Sequence, residues 1–125
     1  MQWLWVGLGG FLGANARYLT TLLCKKIFNQ SLLPIGTISV NLIGCFIIGL
    51  ISGYSLHRAL SSQMHGLILV GFLGGFTTFS SFGLEAFQLL EKNQATTALL
   101  DIFIQVVVGI LAVSLGWWIS QIKSI

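Results

Sequence analysis

Four long apolar stretches fill most of the chain, and only short polar segments separate them. The stretches lie at about residues 3–24, 33–56, 64–90 and 97–120. A helix needs about 20 mostly apolar residues to cross the hydrocarbon core of a bilayer, and each stretch is long enough. The connecting segments are too short to hold a second domain. The sequence therefore predicts an all-α protein in which residues 1–125 form a single membrane domain with four transmembrane helices.

The composition supports a membrane location. Hydrophobic residues make up 55% of the chain and charged residues only 7%, whereas soluble domains carry about 25% charged residues. A chain with so few charges cannot cover a water-facing surface. The 15 glycines also fit membrane helices, in which small residues allow close packing.

The basic residues outside the apolar stretches give little information on orientation. Lys25, Lys26 and Lys92 fall on one side of a four-span layout, while Arg58 and Lys123 fall on the other. Because Lys and Arg normally remain on the cytoplasmic side, this balance predicts insertion in either orientation and an antiparallel two-fold dimer. The alternative is an ordinary single orientation that these charges specify poorly. Since the basic residues form no patch, we expect no nucleic-acid partner.

Glycine pairs four residues apart occur in each of the first three stretches. They are Gly9 and Gly13, Gly49 and Gly53, and Gly71 and Gly75. This spacing allows a neighbouring helix to approach one helix face closely. Four spans of near-minimal length enclose little interior, so we expect a dimer or a larger assembly for any conducting role.

The third stretch combines adjacent glycines with hydroxyl residues at bilayer depth. Gly74 and Gly75 weaken helix continuity. Four hydroxyl residues that can bond to the local backbone follow them: Thr77, Thr78, Ser80 and Ser81. We therefore predict a break in this helix, whose free carbonyls are candidate cation ligands. The alternative is a continuous helix in which the glycines serve packing and the hydroxyls bond one turn back.

Two polar residues lie inside apolar stretches. An unpaired amide at Asn41 would cost several kcal/mol in hydrocarbon, so this side chain either forms an interhelical hydrogen bond or donates to a passing anion. Arg17 must snorkel, pair with an acid, or line a water-filled vestibule where it attracts anions. Glu85 and Asp101 are the acidic residues within the apolar stretches.

Phenylalanines recur every three residues in the third stretch, at Phe76, Phe79 and Phe82. On a continuous helix this spacing gives a slowly rotating aromatic stripe, which is usually core packing. Aromatic rings also have a positive edge that weakly stabilises a desolvated anion. The interleaved Ser80 and Ser81 would add hydroxyl donors, a combination that suits an ion which must lose water, bind and leave.

Three motifs give the chain a specific resemblance to a known family. They read GGFLGANARY at Gly9–Tyr18, GTISVNLIG at Gly36–Gly44 and GFLGGFTTFSSF at Gly71–Phe82. In these motifs, in its length and in its four-span layout, the chain resembles the Fluc (CrcB) family of bacterial fluoride channels.

The resemblance implies a dual-topology homodimer with two antiparallel pores, each built from both subunits. It also implies a structural sodium ion at the dimer centre, held by the backbone carbonyls of Gly74 and Thr77 from both copies. Residues that match the family's fluoride pore are Phe79, Phe82, Asn41, Ser80 and Ser81, with Arg17 in the vestibule and with Thr37 and Glu85 at the pore lining and pore end.

The fourth stretch departs from the family, which often carries Tyr and Ser hydroxyls there. In this chain Asp101, Gln105 and Ser114 stand among valines and isoleucines. Gln105 is a candidate substitute donor to fluoride.

The resemblance therefore predicts passive, electrodiffusive fluoride export across the bacterial cytoplasmic (inner) membrane, which lowers cytoplasmic fluoride. The protein would be a multi-pass channel in the lipid bilayer and not an enzyme. Its partners would be fluoride and a second copy of itself.

Other classes of protein compete with this interpretation. A small four-helix proton-coupled multidrug transporter would need an acid in the first span, where this chain has Arg17. A membrane enzyme would use Glu85, Asp101, His57 and His65, but the sequence contains neither HExxH nor GxSxG. A purely structural subunit leaves the Thr, Ser and Asn residues at mid-depth without a role.

Overall fold

The computed structural model describes residues 1–122, and within that range the chain is helical with short connections. Helix α1 spans Gln2–Ile27, and α2 spans Ile35–Ser55. The third stretch consists of α3, residues 62–76, and α4, Phe79–Glu91. Helix α5 spans Ala95–Ile122. The predicted all-α fold is confirmed for these residues, which contain no strand; Lys123 lies outside them, and the antiparallel dimer stays a prediction.

Three of the described helical stretches are long and apolar enough to cross a membrane: Ile35–Ser55, Ser62–Glu91 and Ala95–Ile122. Helix α1 has 26 residues but is not among them, because Asn15, Arg17 and its two C-terminal lysines lower its hydropathy. The chain therefore has the helices of a multi-pass membrane protein. Its fourth crossing, by α1, stays a prediction.

Glycines allow α1 to pack directly on the backbone of α3. A Cβ at Gly9 would overlap the carbonyl oxygen of Leu67, and a Cβ at Gly13 would overlap that of Phe72. From the other side, a Cβ at Gly75 would lie 2.7 Å from the carbonyl oxygen of Gly10. Only glycine permits such an approach, so α1 and α3 form one closely packed helix pair.

Helices α2 and α5 form a second pair in the same way. A Cβ at Gly49 would overlap the carbonyl oxygen of Val113, and a Cβ at Gly116 would overlap that of Phe46. The predicted use of spaced glycines for close helix contact is confirmed in all three stretches, at Gly9, Gly13, Gly49, Gly53, Gly71 and Gly75.

The predicted break in the third stretch is present between α3 and α4. Thr77 has φ −83° and ψ 158°, and Thr78 has φ −151° and ψ 117°, so both residues are extended. The alternative of a continuous helix is therefore wrong. The break also divides the phenylalanines, since Phe76 ends α3 and stacks on Phe72 with the ring centroids 5.8 Å apart. The three rings do not form the single stripe that a continuous helix would give.

Both α3 and α5 contain a π-helical segment. In α3 this segment is His65–Leu73, directly before the break, and in α5 it is Ile104–Val108. Wide turns of this kind occur most often at functional positions. The two π-helical segments are therefore candidate positions for a functional site.

Candidate functional site

A side chain of α2 holds the break in place. The Asn41 Oδ1 atom accepts a hydrogen bond from the N–H of Thr78 at 2.8 Å, and Asn41 Nδ2 donates to the carbonyl of Thr78 at 3.1 Å. Backbone donors and acceptors have fixed identities, so these bonds also establish which end of the Asn41 amide is nitrogen. The interhelical role left open for Asn41 by the sequence is present.

Thr78 also begins α4. Its Oγ1 accepts from the N–H of Ser81 at 3.2 Å, which makes Thr78 the N-cap. The same Oγ1 lies 3.1 Å from the Ser81 hydroxyl and 3.4 Å from the Ser80 hydroxyl. These three hydroxyls, the hydroxyl cluster, stand at a helix N-terminus, where unpaired N–H groups and the helix dipole favour an anion.

Two backbone carbonyls lose their helical donors at the break. In a continuous helix, Thr78 N–H would bond to the carbonyl of Gly74, and Ser81 N–H would bond to the carbonyl of Thr77. Here those N–H groups bond instead to Asn41 Oδ1 and to the Thr78 hydroxyl. The freed carbonyls belong to the two residues that the family resemblance selects as sodium ligands.

Arg17 has a backbone partner in place of the acid considered from the sequence. Its Nη1 donates to the carbonyl of Thr77 at 3.2 Å. A carbonyl oxygen has two lone pairs, so this bond leaves one for a second cation. At Gly74 the neighbouring face is open, because an added Cβ would meet nothing within 4 Å. The two carbonyls therefore fit a hard cation that is bound by backbone oxygens.

A chain of side-chain bonds continues from Asn41 into α5. Asn41 Nδ2 donates to Gln105 Oε1 at 2.6 Å, and Gln105 Nε2 donates to Asp101 Oδ1 at 2.8 Å. Asp101 is fully buried, and its Oδ2 atom has no hydrogen-bond partner among the described residues. Both amide hydrogens of Asn41 are thus engaged, one by Thr78 and one by Gln105.

A second polar contact joins α2 to α4. The Thr37 hydroxyl donates to Glu85 Oε1 at 2.9 Å, and Thr37 is buried. The other carboxylate oxygen of Glu85 is buried without a partner in the described part of the chain. The two residues to which the resemblance gave the pore lining and pore end are therefore in direct contact.

Two cavities meet at the break, and Thr78 lines both. The polar cavity, about 750 Å³, contains the charged groups and is lined by residues that include Arg17, Lys25, Thr37, Ser81, Glu85 and Lys92. The aromatic cavity, about 380 Å³, is lined by residues that include Asn41, Gly74, Thr77, Phe79, Phe82 and Gln105. Every site residue selected from the sequence lines one of these cavities except Ser80, whose hydroxyl belongs to the hydroxyl cluster.

Phe79 and Phe82 lie edge to face in the first turn of α4. Their ring centroids are 5.5 Å apart and their planes are inclined by 70°. Phe82 is 9% exposed, whereas Phe79 is 82% exposed although it lines the aromatic cavity. Ring hydrogens form the positive part of an aromatic quadrupole, so the edges of these two rings are the parts that could contact an anion in the cavity.

Two residues of the site were not selected from the sequence. Thr78 was noted only as a hydroxyl near the break, although Ser or Thr before an apolar helical run is an N-cap signal. Asp101 was considered as an acid for Arg17, as an acid of the rival enzyme and as a polar residue of the fourth stretch, but not as a partner of Gln105, although an Asp and a Gln four residues apart share a helix face. The bond from Gln105 to Asp101 has that spacing.

The interrupted third helix and the paired polar and aromatic cavities define a multi-pass membrane protein whose polar site lies inside its helix bundle. A family model described as CrcB-like protein, Camphor Resistance (CrcB), matches residues 4–117. The chain therefore belongs to the CrcB family, as its three motifs predicted.

Several relatives are similar to the chain along almost its whole length. The fluoride-specific ion channel FluC of Helicobacter acinonychis (strain Sheeba) is 38% identical over 122 residues, which cover 97% of this chain and 96% of the relative. The protein of that name from Helicobacter pylori (strain J99) is 37% identical, with 97% and 94% covered. The one from Azobacteroides pseudotrichonymphae is 41% identical over 117 residues, 93% of each chain. These relatives are named as ion channels and not as enzymes.

Proposed function

We propose that this protein is a fluoride-selective channel through which fluoride leaves the bacterial cytoplasm passively, across the cytoplasmic membrane. One observation carries the proposal: a polar and an aromatic cavity meet at Thr78 in a chain whose full-length relatives are named fluoride-specific ion channels. The described site includes hydroxyl, amide and guanidinium donors and two aromatic rings. Conduction needs these groups and no covalent chemistry.

The anion first enters the polar cavity. Arg17, Lys25 and Lys92 line this cavity and raise the local concentration of anions. At its inner end the anion reaches the hydroxyl cluster at the N-terminus of α4, where hydroxyl and N–H groups replace hydrating water. Capture and the first loss of water therefore occur on the polar side of Thr78.

The anion then passes the aromatic cavity. The edges of Phe79 and Phe82 bind a desolvated anion only weakly, and this weakness allows the ion to leave again. A narrow path with fixed donors favours a small anion, because larger chloride cannot contact all donors at once. In this scheme selectivity arises at the aromatic cavity, where water is scarce.

The conducting form is an antiparallel homodimer with two pores. Phe79 is 82% exposed, and a second copy would cover it and close the aromatic cavity. Lys25 and Lys92 line the same cavity and so lie at one end of the bundle, while Arg58 follows the opposite end of α2. With Lys26 and Lys123 included, the sequence places three basic residues at one end against two at the other, and this small difference supports insertion in both orientations.

A sodium ion at the dimer centre would be held by the carbonyls of Gly74 and Thr77 from both copies. The diversion of Thr78 N–H and Ser81 N–H supports this assignment, because it frees those oxygens. The ion would lock the two copies together and would take no part in fluoride transfer. Removal of sodium from the purified dimer should then weaken its assembly.

The test is fluoride efflux from liposomes that contain the pure protein. Vesicles loaded with potassium fluoride should release fluoride only after valinomycin balances the charge, as electrodiffusion requires. Vesicles loaded with potassium chloride, and vesicles without protein, serve as controls. Fluoride that stays inside while chloride escapes would overturn the proposal. Efflux that does not depend on valinomycin but does depend on a proton gradient would favour a proton-coupled transporter instead.

A further inference from the structure

The buried position of Asp101 costs desolvation free energy, and apolar packing does not explain why a carboxyl group is found there. Its side chain is fully buried in an apolar helix, and Oδ2 has no hydrogen-bond partner among residues 1–122. An apolar residue of similar size would avoid the desolvation of a carboxyl group. Acidic residues inside membrane segments are expensive and usually functional. Its bond to Gln105 indicates which function it serves.

The Asp101 carboxyl group determines how the Gln105 amide is turned. An ionised carboxylate only accepts hydrogen bonds, so Oδ1 of the ionised Asp101 requires an N–H from Gln105. The observed bond has this direction, with Gln105 Nε2 donating at 2.8 Å. Gln105 Oε1 must then face Asn41, where it accepts from Nδ2 at 2.6 Å.

Both amide hydrogens of Asn41 are used in hydrogen bonds, whereas Gln105 has one amide hydrogen left to donate. The two amide hydrogens of Asn41 are used by Thr78 and by Gln105. Gln105 Nε2 also has two hydrogens, and Asp101 takes one of them. Gln105 lines the aromatic cavity together with Phe79 and Phe82, and it lies in the π-helical segment of α5. The spare amide hydrogen of the site is therefore on Gln105.

We propose that Gln105 donates this hydrogen to fluoride in the aromatic cavity and that Asp101 is a positioning residue that keeps the donor turned toward the ion. This inference rests on the proposed channel function. Without Asp101, the Gln105 amide keeps only the bond from Asn41 to its Oε1, and Nε2 loses the acceptor that fixes the direction of its second hydrogen. Asp101 itself touches no fluoride and acts through Gln105.

Fluoride efflux from liposomes, with the full-length protein and its variants, tests this role. Asp101→Ala should slow efflux by about tenfold, the effect of losing one hydrogen bond to a charged group. Gln105→Met should slow it to a similar extent. Since Asp101 acts through Gln105, adding Asp101→Ala to Gln105→Met should cause little further loss. Asp101→Asn keeps an accepting oxygen and should restore most of the rate.

Ser114→Ala is the matched control. Ser114 lies on the same helix and lines neither cavity, and among residues 1–122 its hydroxyl donates to the carbonyl of Ile110 at 3.0 Å, so this variant should conduct as the parent does. Full-rate efflux from Gln105→Met would overturn the proposal even if Asp101→Ala does not fold. Losses that multiply in the double variant would overturn it as well. If the unmodified protein releases no fluoride, the channel function fails first.

Discussion

The two cavities that meet at Thr78 differ in chemistry although they share a wall. The polar cavity is lined by two lysines, an arginine and a glutamate, whereas the aromatic cavity is lined by Phe79, Phe82 and two amides without any formal charge. Full charges attract an ion but also hold it and its water. Weak donors attract an ion less strongly, and they let it leave more easily. In the proposed channel, ion capture and ion dehydration would therefore take place in separate regions, with Thr78 as their boundary.

The largest effect should come from removing the boundary between the cavities. Asn41 makes three hydrogen bonds, of which two hold the extended backbone at Thr78. At about 1 kcal/mol for each bond, Asn41→Leu should lower the free energy of unfolding by about 3 kcal/mol. It should also slow fluoride efflux by about 100-fold. Efflux and thermal stability in detergent measure the two losses. An unchanged rate would show that the break does not need this support.

A change inside the aromatic cavity should have the next largest effect. Phe79→Ile and Phe82→Ile remove the ring edges but keep apolar bulk. Each variant should slow fluoride efflux by about fivefold, because an aromatic contact contributes about 1 kcal/mol. Dimer assembly, measured by size-exclusion chromatography, should survive. Normal conduction by either variant would show that the ring it lacks does not lie on the fluoride path.

The two cysteines are native reporters, one in each cavity. Cys45 lines the aromatic cavity and Cys24 lines the polar one. Methyl methanethiosulfonate, a small neutral reagent, should slow efflux several-fold when it modifies Cys45, since the aromatic cavity has about half the volume of the polar one. The Cys24→Ser variant isolates the Cys45 effect, and Cys45→Ser should leave only a weak response. Equal sensitivity at both positions would argue against a narrower aromatic side.

The smallest effect should come from the lysines of the polar cavity. Lys25→Gln and Lys92→Gln lower the attraction of fluoride but leave the donors intact, so efflux should fall by about two- to threefold at low salt. A high concentration of an impermeant salt should abolish the difference by screening. A loss that persists at high salt would give these lysines a direct binding role.

Much of the fold could be predicted because it depends on patterns that are local in sequence. Apolar stretches of spanning length predicted the helices, and spaced glycines predicted close packing. Adjacent glycines and hydroxyls predicted the break. The pairing of helices could not be predicted, because three stretches carry the same glycine spacing and any two could have met.

The sequence selected most of the polar and aromatic residues that line the two cavities at the break, but it could not predict the bonds between them. The motifs selected Asn41, Phe79 and Phe82, yet the choice between a structural and an ion-binding amide depended on a backbone segment 37 positions away. Asp101 was missed as a site residue because its importance lies in its direction toward Gln105. Such directions arise only when separate helices are packed together.

The pairing of helices has a mechanical consequence. Backbone-to-backbone contacts hold the two helices of each pair together, whereas the pairs meet where α1 contacts α2, at Thr21 with Gly36, and through the two bonds between Asn41 and Thr78. Lipid provides no hydrophobic force to press the pairs together. The bonds between Asn41 and Thr78 therefore contribute directly to the cohesion of the two pairs, and their loss should loosen one pair from the other while each pair stays intact.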